Sequence, residues 1–432
     1  MSIVVLSEER LDALHATIGR FDCRFRSVDG GDVFSAIAAD GTKDAAAGSL
    51  FVTSASEPEN AASFGKPEDT VRVVARWSQV HPRLRPAGPA AISREWSVRG
   101  YVLRSGTWQE ATILVVPVRQ ELYSRTRGLI ETDLLADNTV FFVGLGSMGS
   151  VNAVQSVQSG VGRVILMDHD RIECANLVRH VAGVSDLGRL KVNVVADAIR
   201  EKNPYAEVER HPVKVTWRNL DLMRECVRRS DLVVCMVDSI TARRVLNRAC
   251  VLEGKPLIIA GAFRRAYGGQ AHSIRPGIGP CYECFLKAFP KFATDQEVAS
   301  WEHAERLSYT DRPVVPEPGL ANDIAPINQM AVKLALHSLL EGKQTALRCL
   351  DEDLTAHFYI WLNRREPGTD WDCLKPMKFD VDGVRILRWY GIEFYRDPQC
   401  RCCGDSKGGG LDLTGLDSQS RNLDMCQEKE GS

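Results

Sequence analysis

Long hydrophobic runs and a surplus of charge of either sign are missing from this chain. No apolar stretch among its 432 residues approaches the roughly 18 residues of a membrane span, and its start lacks the basic and apolar segments of a secretion signal. The formal net charge of -2 offers no basic surplus to attract nucleic acid. We therefore expect a soluble, cytoplasmic protein that binds neither membranes nor nucleic acid.

Cysteine is plentiful, with 13 residues, but the pattern is not that of a disulfide-stapled domain. Four cysteines fall within or beside helix and strand patterns, where reduced cysteines behave as small apolar core residues. These four are Cys174, Cys226, Cys235 and Cys250. We expect them in the core.

Two further cysteine pairs have metal-ligand spacing. Cys281-Tyr-Glu-Cys284 and Cys400-Arg-Cys-Cys403 each have the two-residue gap that lets both thiolates of a turn reach one tetrahedral Zn2+. Four thiolates leave no open position for a water molecule, so such a zinc site would be structural. Cys402 could replace a neighbour in the ligand set, and a redox dithiol or chance clustering is the alternative interpretation.

A glycine run in Val140-Phe-Phe-Val-Gly-Leu-Gly-Ser-Met-Gly149 predicts a strand that turns tightly into a helix. Gly144, Gly146 and Gly149 would let the N-terminal N–H groups of that helix approach phosphates. Asp168 lies 22 residues beyond Gly146, at a strand end where such folds place a carboxylate on a ribose hydroxyl. Both features fit a nicotinamide cofactor or ATP.

Acids, an amide and two cations complete a set that favours ATP: Asp168, Asp170, Asn176, Arg179, Lys191 and Asp238. Splitting ATP between its α- and β-phosphates develops negative charge that Arg179 and Lys191 could stabilise, whereas hydride transfer needs no such cations. Asp238 ends an apolar run, where Mg2+ on the phosphates would find an oxygen ligand. Taken singly, each residue has a plainer interpretation, as a strand-end acid, a solvated helix residue or a helix N-cap.

In this order and spacing the residues resemble those of the ThiF/MoeB-type adenylyltransferases, the superfamily of ubiquitin-activating enzymes, from about Glu121 to about Leu340. The resemblance implies a nucleotide held by the three glycines. It further implies that Asp168 and Asp170 hold the ribose, that Asn176, Arg179 and Lys191 contact phosphates, and that Asp238 binds Mg2+.

The arginine motif that precedes the glycine run in this family stands here as Leu122-Tyr-Ser-Arg125. Arg125 resembles the arginine that reaches the phosphates from the dimer partner. The first arginine of the motif is missing, and Arg127 is a candidate substitute. The resemblance therefore implies a homodimer.

Strand and helix patterns alternate from Val140 onward, which argues for a mainly parallel sheet with helices on both faces. We expect an α/β fold with a Rossmann-like doubly wound adenylation domain at residues 118–345. Residues 1–117 read as a separate N-terminal α+β accessory domain. Residues 346–404 read as a zinc-tied C-terminal extension with the second cysteine pair, and residues 405–432 as a flexible polar tail.

No cysteine occurs from Phe285 to Asp323, the region that corresponds to the crossover loop, which carries a thioester-forming cysteine in several family members. Acidic neighbours disfavour a thiolate at Cys373. Cys426 lies on the tail, whose length would let it reach an adenylate. We therefore name Cys426 as the candidate thioester cysteine, with an unordered tail residue as the alternative interpretation.

The resemblance implies an enzyme that uses Mg·ATP to adenylate the C-terminal carboxylate of a ubiquitin-like β-grasp protein, releasing pyrophosphate. Thioester formation and hand-over to a conjugating enzyme would follow. The layout looks most like bacterial activating enzymes of ubiquitin-like conjugation systems, several linked to antiphage defence. The alternatives are adenylation of a tRNA or short peptide without a thioester, an NAD-dependent oxidoreductase, and a catalytically silent zinc-stabilised scaffold.

Overall fold

A computed structural model describes residues 2–14, 19–28, 33–36, 45–53, 66–79, 94–116, 121–130, 133–289, 318–374 and 384–405. The chain divides into two compact units. The first unit comprises Met1–Arg127 and Asn203–Tyr205, and the second comprises Gly128–Lys202 and Ala206–Ser432. Among the described residues, no helix is long and apolar enough to cross a membrane.

The first unit is a closed β-barrel. Its strands are β1 (Ile3–Ser7), β2 (Gly19–Val28), β3 (Val33–Ser35), β4 (Ala45–Thr53), β5 (Val71–Gln79), β6 (Arg94–Arg104) and β7 (Thr107–Val116). They close in the order β1-β3-β2-β4-β5-β6-β7 because β1 also pairs in parallel with β7. Side chains fill the interior, among them the fully buried Val4, Phe25 and Val73.

The expectation of an α+β accessory domain at residues 1–117 did not include closure into a barrel. Helix α1 (Glu8–Leu14) buries Leu11 in the barrel core. The alternating strand patterns were readable from the sequence. Closure was not, because it depends on pairs such as Ile3 with Thr112, which lie far apart along the chain.

The second unit alternates strands with helices. Its strands are β8 (Thr139–Val143), β9 (Arg163–Met167), β10 (Glu207–His211), β11 (Leu232–Cys235), β12 (Leu257–Ala262), β13 (Gly268–Ile274), β14 (Phe358–Leu362) and β15 (Trp389–Ile392). Its helices are α2 (Asp133–Ala136), α3 (Ser147–Gln158), α4 (Lys191–Lys202), α5 (Leu220–Arg228), α6 (Ile240–Glu253), α7 (Tyr282–Ala288) and α8 (Ala321–Leu340).

The eight strands form one sheet in the order β10-β9-β8-β11-β12-β13-β14-β15. The pairings from β10 to β12 are parallel, whereas those from β12 to β15 are antiparallel. The whole sheet is therefore mixed. Within residues 118–345, four of the five strand pairings are parallel, in agreement with the prediction of a mainly parallel sheet for that domain. Strands β14 and β15, from the expected C-terminal extension, continue the same sheet rather than standing apart from it.

Helices cover both faces of the sheet. Adjacent residues of each strand point to opposite faces, so each strand contributes side chains to both cores. Val140 and Phe142 pack in a core with side chains of α3, α4 and α8. Phe141 and Val143 pack on the other side with side chains of α5, α6 and α7. The near-continuous apolar run of β8 thus follows from burial on both faces.

The parallel half of the sheet has one carboxyl edge, where β8, β9 and β11 end side by side. The segments that leave these strands begin with Gly144, Asp168 and Met236. In open α/β sheets this edge is where ligands bind. The candidate nucleotide residues lie on these segments.

Candidate functional site

The glycine loop, residues 144–149, leaves β8 and enters α3. Gly144 has a φ of +82°, and a Cβ there would lie 2.7 Å from Cγ1 of Val237. A Cβ on Gly149 would collide with the carbonyl oxygen of Gly144. Close approach therefore requires glycine at both positions. Gly146 is the N-cap of α3 and has open space around its Cα, so packing does not require glycine there.

Asp168 fixes the backbone around this loop. Its carboxylate is buried and accepts the N–H of Leu145 at 2.6 Å and the N–H of Asp170 at 2.8 Å. Charge-assisted bonds to backbone N–H groups are strong, so Asp168 ties the loop after β8 to the turn after β9. Both carboxylate oxygens bond to the protein itself, and a ribose role for Asp168 stays a prediction.

Lys191 and Asp170 form an ion pair beside the loop. The Lys191 Nζ lies 2.8 Å from Oδ2 of Asp170, with the lysine side chain 11% exposed and the aspartate side chain 49% exposed. Burial lowers the pKa of Lys191, but the attraction of Asp168 and Asp170 outweighs it and raises that pKa overall. Lys191 is therefore a fixed cation at the carboxyl edge.

Asn176 and Arg179 lie on the segment between β9 and α4. The side-chain oxygen of Asn176 accepts the N–H of Glu173 at 3.0 Å and so shapes a short turn. The hydroxyl of Ser147 donates to the carbonyl of Arg179 at 3.1 Å, which holds this segment against the start of α3. The structure thus brings Arg179 to the glycine loop, and the phosphate contacts of Asn176 and Arg179 stay predictions.

His180 is a residue of this site that the sequence analysis missed. Its Nε2 lies 2.8 Å from the carbonyl oxygen of Leu145, in the glycine loop. Its Nδ1 accepts the N–H of Ala182 at 3.0 Å. The only signal in the sequence was its place directly after Arg179.

Asp238 follows β11 and is half-buried. The N-cap of α6 is Ser239, whose side chain accepts the N–H of Ala242 at 3.3 Å, so the interpretation of Asp238 as a helix N-cap is wrong. Val237, the preceding residue, touches the space beside Gly144. Asp238 therefore lies at the carboxyl edge next to the glycine loop, a position that suits an oxygen ligand for phosphate-bound Mg2+.

Among the described residues, Asp168, His169 and Asp170 are close enough to share an ion at this edge, with ligand atoms within 4.8 Å of one another. The Lys191 ammonium on Asp170 disfavours a second cation there. Asp238 lies outside that group. Its Mg2+ role stays a prediction.

Arg125 belongs to the first compact unit, where it is exposed on a turn. Its predicted action across a homodimer is not tested by a single chain. Cys426 lies outside the described residues, as do residues 290–317 of the crossover-loop region. Cys373 is described and exposed, and its thiol points to the carbonyl of Asp370 at 3.6 Å.

Two segments far apart in sequence meet in a cysteine cluster, Cys281, Cys284, Cys400 and Cys403. The sulfur atom of Cys281 lies 3.9 Å from the sulfur of Cys284 and 3.7 Å from that of Cys400. The sulfur atoms of Cys284 and Cys403 are 3.5 Å apart. Four sulfurs around a tetrahedral Zn2+, each about 2.3 Å from the metal, would be about 3.8 Å apart. The cluster therefore has the donor set and spacing that zinc prefers.

The fifth cysteine of this region, Cys402, has a different environment. The side-chain amide of Asn247, on α6, donates to the Cys402 sulfur at 3.1 Å. Arg248 donates to the Cys402 carbonyl at 3.0 Å. Cys403 rather than Cys402 stands in the group of four. Hydrogen bonding within the cluster lowers the pKa of Cys281, chiefly through Cys284, and raises the pKa of Cys403.

Of the four cysteines expected in the core, three are buried there, namely Cys226, Cys235 and Cys250. Burial raises the pKa of Cys235 to about 11, which makes it an inert thiol. Cys174 is exposed in the turn that Asn176 closes, so its core assignment is wrong.

Known proteins resemble this chain over part of its length. The ThiF family matches residues 120–356, which include the glycine loop, Asp168, Lys191 and Asp238. The adenylyltransferase and sulfurtransferase MOCS3 of Mus musculus is 30% identical over 265 residues, covering 59% of this chain and 53% of that protein. Ubiquitin-like modifier-activating enzyme 5 of Caenorhabditis elegans is 32% identical over 162 residues, covering 36% of this chain and 39% of that protein.

The chain thus spans about half the length of MOCS3 and a smaller share of the second relative. Among solved structures, E. coli MccB with ATP aligns at 19% identity and a TM-score of 0.44, covering 63% of this chain and 68% of that one.

Proposed function

The chain belongs to the ThiF family, and we propose that it is an ATP-dependent adenylyltransferase acting on the C-terminal carboxylate of a ubiquitin-like protein. The names of its relatives support this activity and this substrate class, since one is an adenylyltransferase and the other activates a ubiquitin-like modifier. We assign the reaction to residues 118–345, with residues 1–117 as an accessory domain and residues 346–404 as the extension that supplies two cluster cysteines.

The observation that carries this proposal is the meeting of three features at one sheet edge. The glycine loop supplies backbone N–H groups at the start of a 12-residue helix. Lys191 is a largely buried cation at this edge, and Asp238 directly follows Val237, which packs against Gly144. An NAD-dependent oxidoreductase would use the loop, but it would have no task for the cation and the second carboxylate.

In the proposed reaction, a carboxylate oxygen of the substrate attacks the α-phosphorus of ATP. The bond between that phosphorus and the oxygen bridging to the β-phosphate breaks, and pyrophosphate leaves with its electron pair. Lys191 and Arg179 stabilise the charge that develops on the phosphoryl oxygens. Asp238 would hold the Mg2+ of Mg·ATP, which neutralises phosphate charge when bound. Asp168 and Asp170 would orient the ribose.

The cysteine cluster would hold Zn2+ as a structural metal. Its four sulfurs fill a tetrahedral shell, so no position stays open for water or substrate. The metal would join α7 to the turn at residues 400–403 and so fasten the C-terminal extension to the sheet.

We further propose a homodimer in which Arg125 acts on the partner's nucleotide, and transfer of the activated carboxylate to a cysteine and then to a conjugating enzyme. Cys426 is the candidate thioester cysteine. A bacterial ubiquitin-like conjugation system with an antiphage role is the setting that the sequence layout suggests. The absence of cysteine from Phe285 to Asp323 favours one alternative, adenylation of a tRNA or short peptide without a thioester step.

ATP–pyrophosphate exchange by the full chain tests the adenylation step. We expect exchange in the presence of a β-grasp protein ending in glycine, and none with the same protein whose C-terminal carboxylate is blocked as an amide. Failure of exchange with every glycine-terminated candidate, together with tight NADH binding, would overturn the proposal. Exchange supported by a tRNA or peptide alone would favour the alternative.

A non-reducing gel tests the thioester step separately. If Cys426 forms the thioester, Cys426→Ala loses the thiol-sensitive adduct with the modifier while Cys373→Ala keeps it. Retention of the adduct by both variants would remove Cys426 from this role.

A further inference from the structure

The peptide group of Leu145, in the middle of the glycine loop, is held from two sides. Its N–H donates to Asp168 at 2.6 Å, and its carbonyl oxygen lies 2.8 Å from Nε2 of His180. The Leu145 side chain is fully buried in the core beneath the loop. The direction of the peptides that follow, at Gly146 and Ser147, therefore depends on both partners.

The two partners of His180 determine its protonation state. A carbonyl oxygen only accepts, so Nε2 must carry a hydrogen and donate to Leu145. A backbone N–H only donates, so Nδ1 must accept from Ala182 and carry no hydrogen. The arrangement thus requires a neutral imidazole with its hydrogen on Nε2.

A second bond ties the same segment to the loop. The hydroxyl of Ser147 donates to the carbonyl of Arg179, the residue before His180. The segment that carries Arg179 toward the site and the loop that faces the phosphates are thus joined at two adjacent residues. Displacing the imidazole would move both.

The surroundings of His180 favour the neutral ring. Burial lowers the pKa of His180, and Lys191 acts in the same direction, while Leu145, Asp168 and Asp186 oppose them without reversing the shift. Protonation would place an N–H on Nδ1 against the N–H of Ala182 and break one of the two bonds that orient the ring.

We propose that His180 is a positioning residue for ATP binding: it sets the glycine loop through the carbonyl of Leu145 while Ala182 fixes the ring, and it lets the loop shift when protonation of Nδ1 breaks the bond with Ala182 and frees the ring to turn. This inference rests on the proposed function, because it assigns the loop to the phosphates of ATP. His180 touches no substrate and acts through Leu145.

The test compares His180→Gln and His180→Leu with the unaltered chain between pH 5 and pH 8. A glutamine can place an amide N–H where Nε2 stands but does not titrate, whereas leucine has no donor. His357→Gln is the matched control, because His357 also has its pKa lowered by burial and lies before β14, away from the carboxyl edge. Zinc content and thermal unfolding verify that each variant folds.

We expect His180→Leu to raise the KM for ATP about tenfold with a smaller effect on kcat, and His180→Gln to stay within about threefold of the unaltered chain at pH 7.5. The pKa of His180 lies below its ordinary value, so the unaltered chain and His357→Gln should lose ATP affinity only as the pH falls through that lowered pKa, while His180→Gln should keep it. Titration of ATP itself affects all variants equally at each pH, so the ratio of ATP affinities between two variants reports the contribution of His180 alone.

An identical acid-side loss in His180→Gln and the unaltered chain would overturn the proposal, as would an unchanged ATP affinity in His180→Leu. If His180→Leu does not fold, the difference in the pH dependence of ATP affinity between His180→Gln and His357→Gln still tests the proposal. Calorimetric binding of Mg·ATP without any modifier provides the same comparison. A failure to find the protein substrate therefore leaves this test intact.

Discussion

The carboxyl edge of the sheet and the cysteine cluster are built in different ways. At the edge, side chains bond mainly to backbone groups, as Asp168 does to the N–H groups of Leu145 and Asp170. In the cluster, side chains meet side chains across a separation of 119 residues. The edge therefore follows from strand order, whereas the cluster would depend on the proposed zinc ion to neutralise its thiolates.

One helix, α6, contacts both regions. Near its start, Arg243 donates to the carbonyl of Val237, next to Asp238, at 2.8 Å. Farther along, the amide of Asn247 donates to the Cys402 sulfur and its oxygen accepts the N–H of Tyr282 at 2.9 Å. Helix α6 thus makes direct hydrogen bonds next to Asp238 at one end and in the cysteine region farther along.

The largest effect should come from Cys281→Ser, which removes one ligand of the proposed zinc site. We expect loss of bound zinc and a fall in unfolding free energy on the order of several kcal/mol, because the free energy of binding a structural metal adds to the stability of the folded state. Metal analysis and thermal unfolding measure the two. Cys402→Ser is the matched control and should retain zinc; loss of zinc from Cys402→Ser alone would place Cys402 in the ligand set.

Asp238→Ala tests the other region of the comparison, the carboxyl edge of the sheet. We expect exchange to fall about 100-fold or more, since the carboxylate proposed to hold Mg2+ is lost. The melting temperature and zinc content should stay unchanged, because the half-buried carboxylate does not cap α6. Retained exchange would remove Asp238 from the metal role, and loss of zinc would mean that the two regions depend on each other in both directions.

Gly149→Ala and Gly146→Ala separate packing from chemistry within the loop. A methyl group on Gly149 would strike the Gly144 carbonyl, while one on Gly146 meets open space. We expect Gly149→Ala to cost about 1–3 kcal/mol of stability and to weaken ATP binding. Gly146→Ala should leave stability nearly unchanged. Urea unfolding and calorimetric ATP binding measure both; equal losses in the two variants would contradict the close-approach argument.

A smaller loss of stability than that of Gly149→Ala should come from Asp170→Asn, which breaks the ion pair with Lys191. Burial raises the pKa of Asp170, but the Lys191 ammonium outweighs it and holds the pKa below its ordinary value. The contribution of the pair is therefore present above the ordinary carboxyl pKa and lost only as pH falls through the lowered one.

Half-exposed pairs contribute little, so Asp170→Asn should lose less than about 1 kcal/mol, equally at pH 5, 7 and 9. Urea unfolding at the three pH values checks this. A difference that vanishes between pH 9 and pH 5 would show that the pair is not formed as described.

Residue order and spacing were enough to find the α/β unit, the glycine loop and both cysteine pairs, because each depends on short-range pattern. The closure of the barrel and the antiparallel half of the sheet could not be found in this way, because both are set by pairing between distant strands. Cys174 was assigned to the core because it falls within or beside helix and strand patterns, yet it lies in an exposed turn. His180 escaped notice because a histidine in a loop has no pattern of its own.

The sequence alone determined the chemical inventory: a glycine loop, carboxylates, two cations and thiols at metal-ligand spacing. Tertiary structure decided which of them act on one another. In the tertiary structure Ser239 rather than Asp238 caps α6, and Cys403 rather than Cys402 belongs to the group of four cysteines. The imidazole of His180 lies 2.8 Å from the carbonyl oxygen of Leu145. The physical reason is that hydrogen bonds and metal geometry act over about 3–4 Å in space, a distance that separation along the chain does not predict.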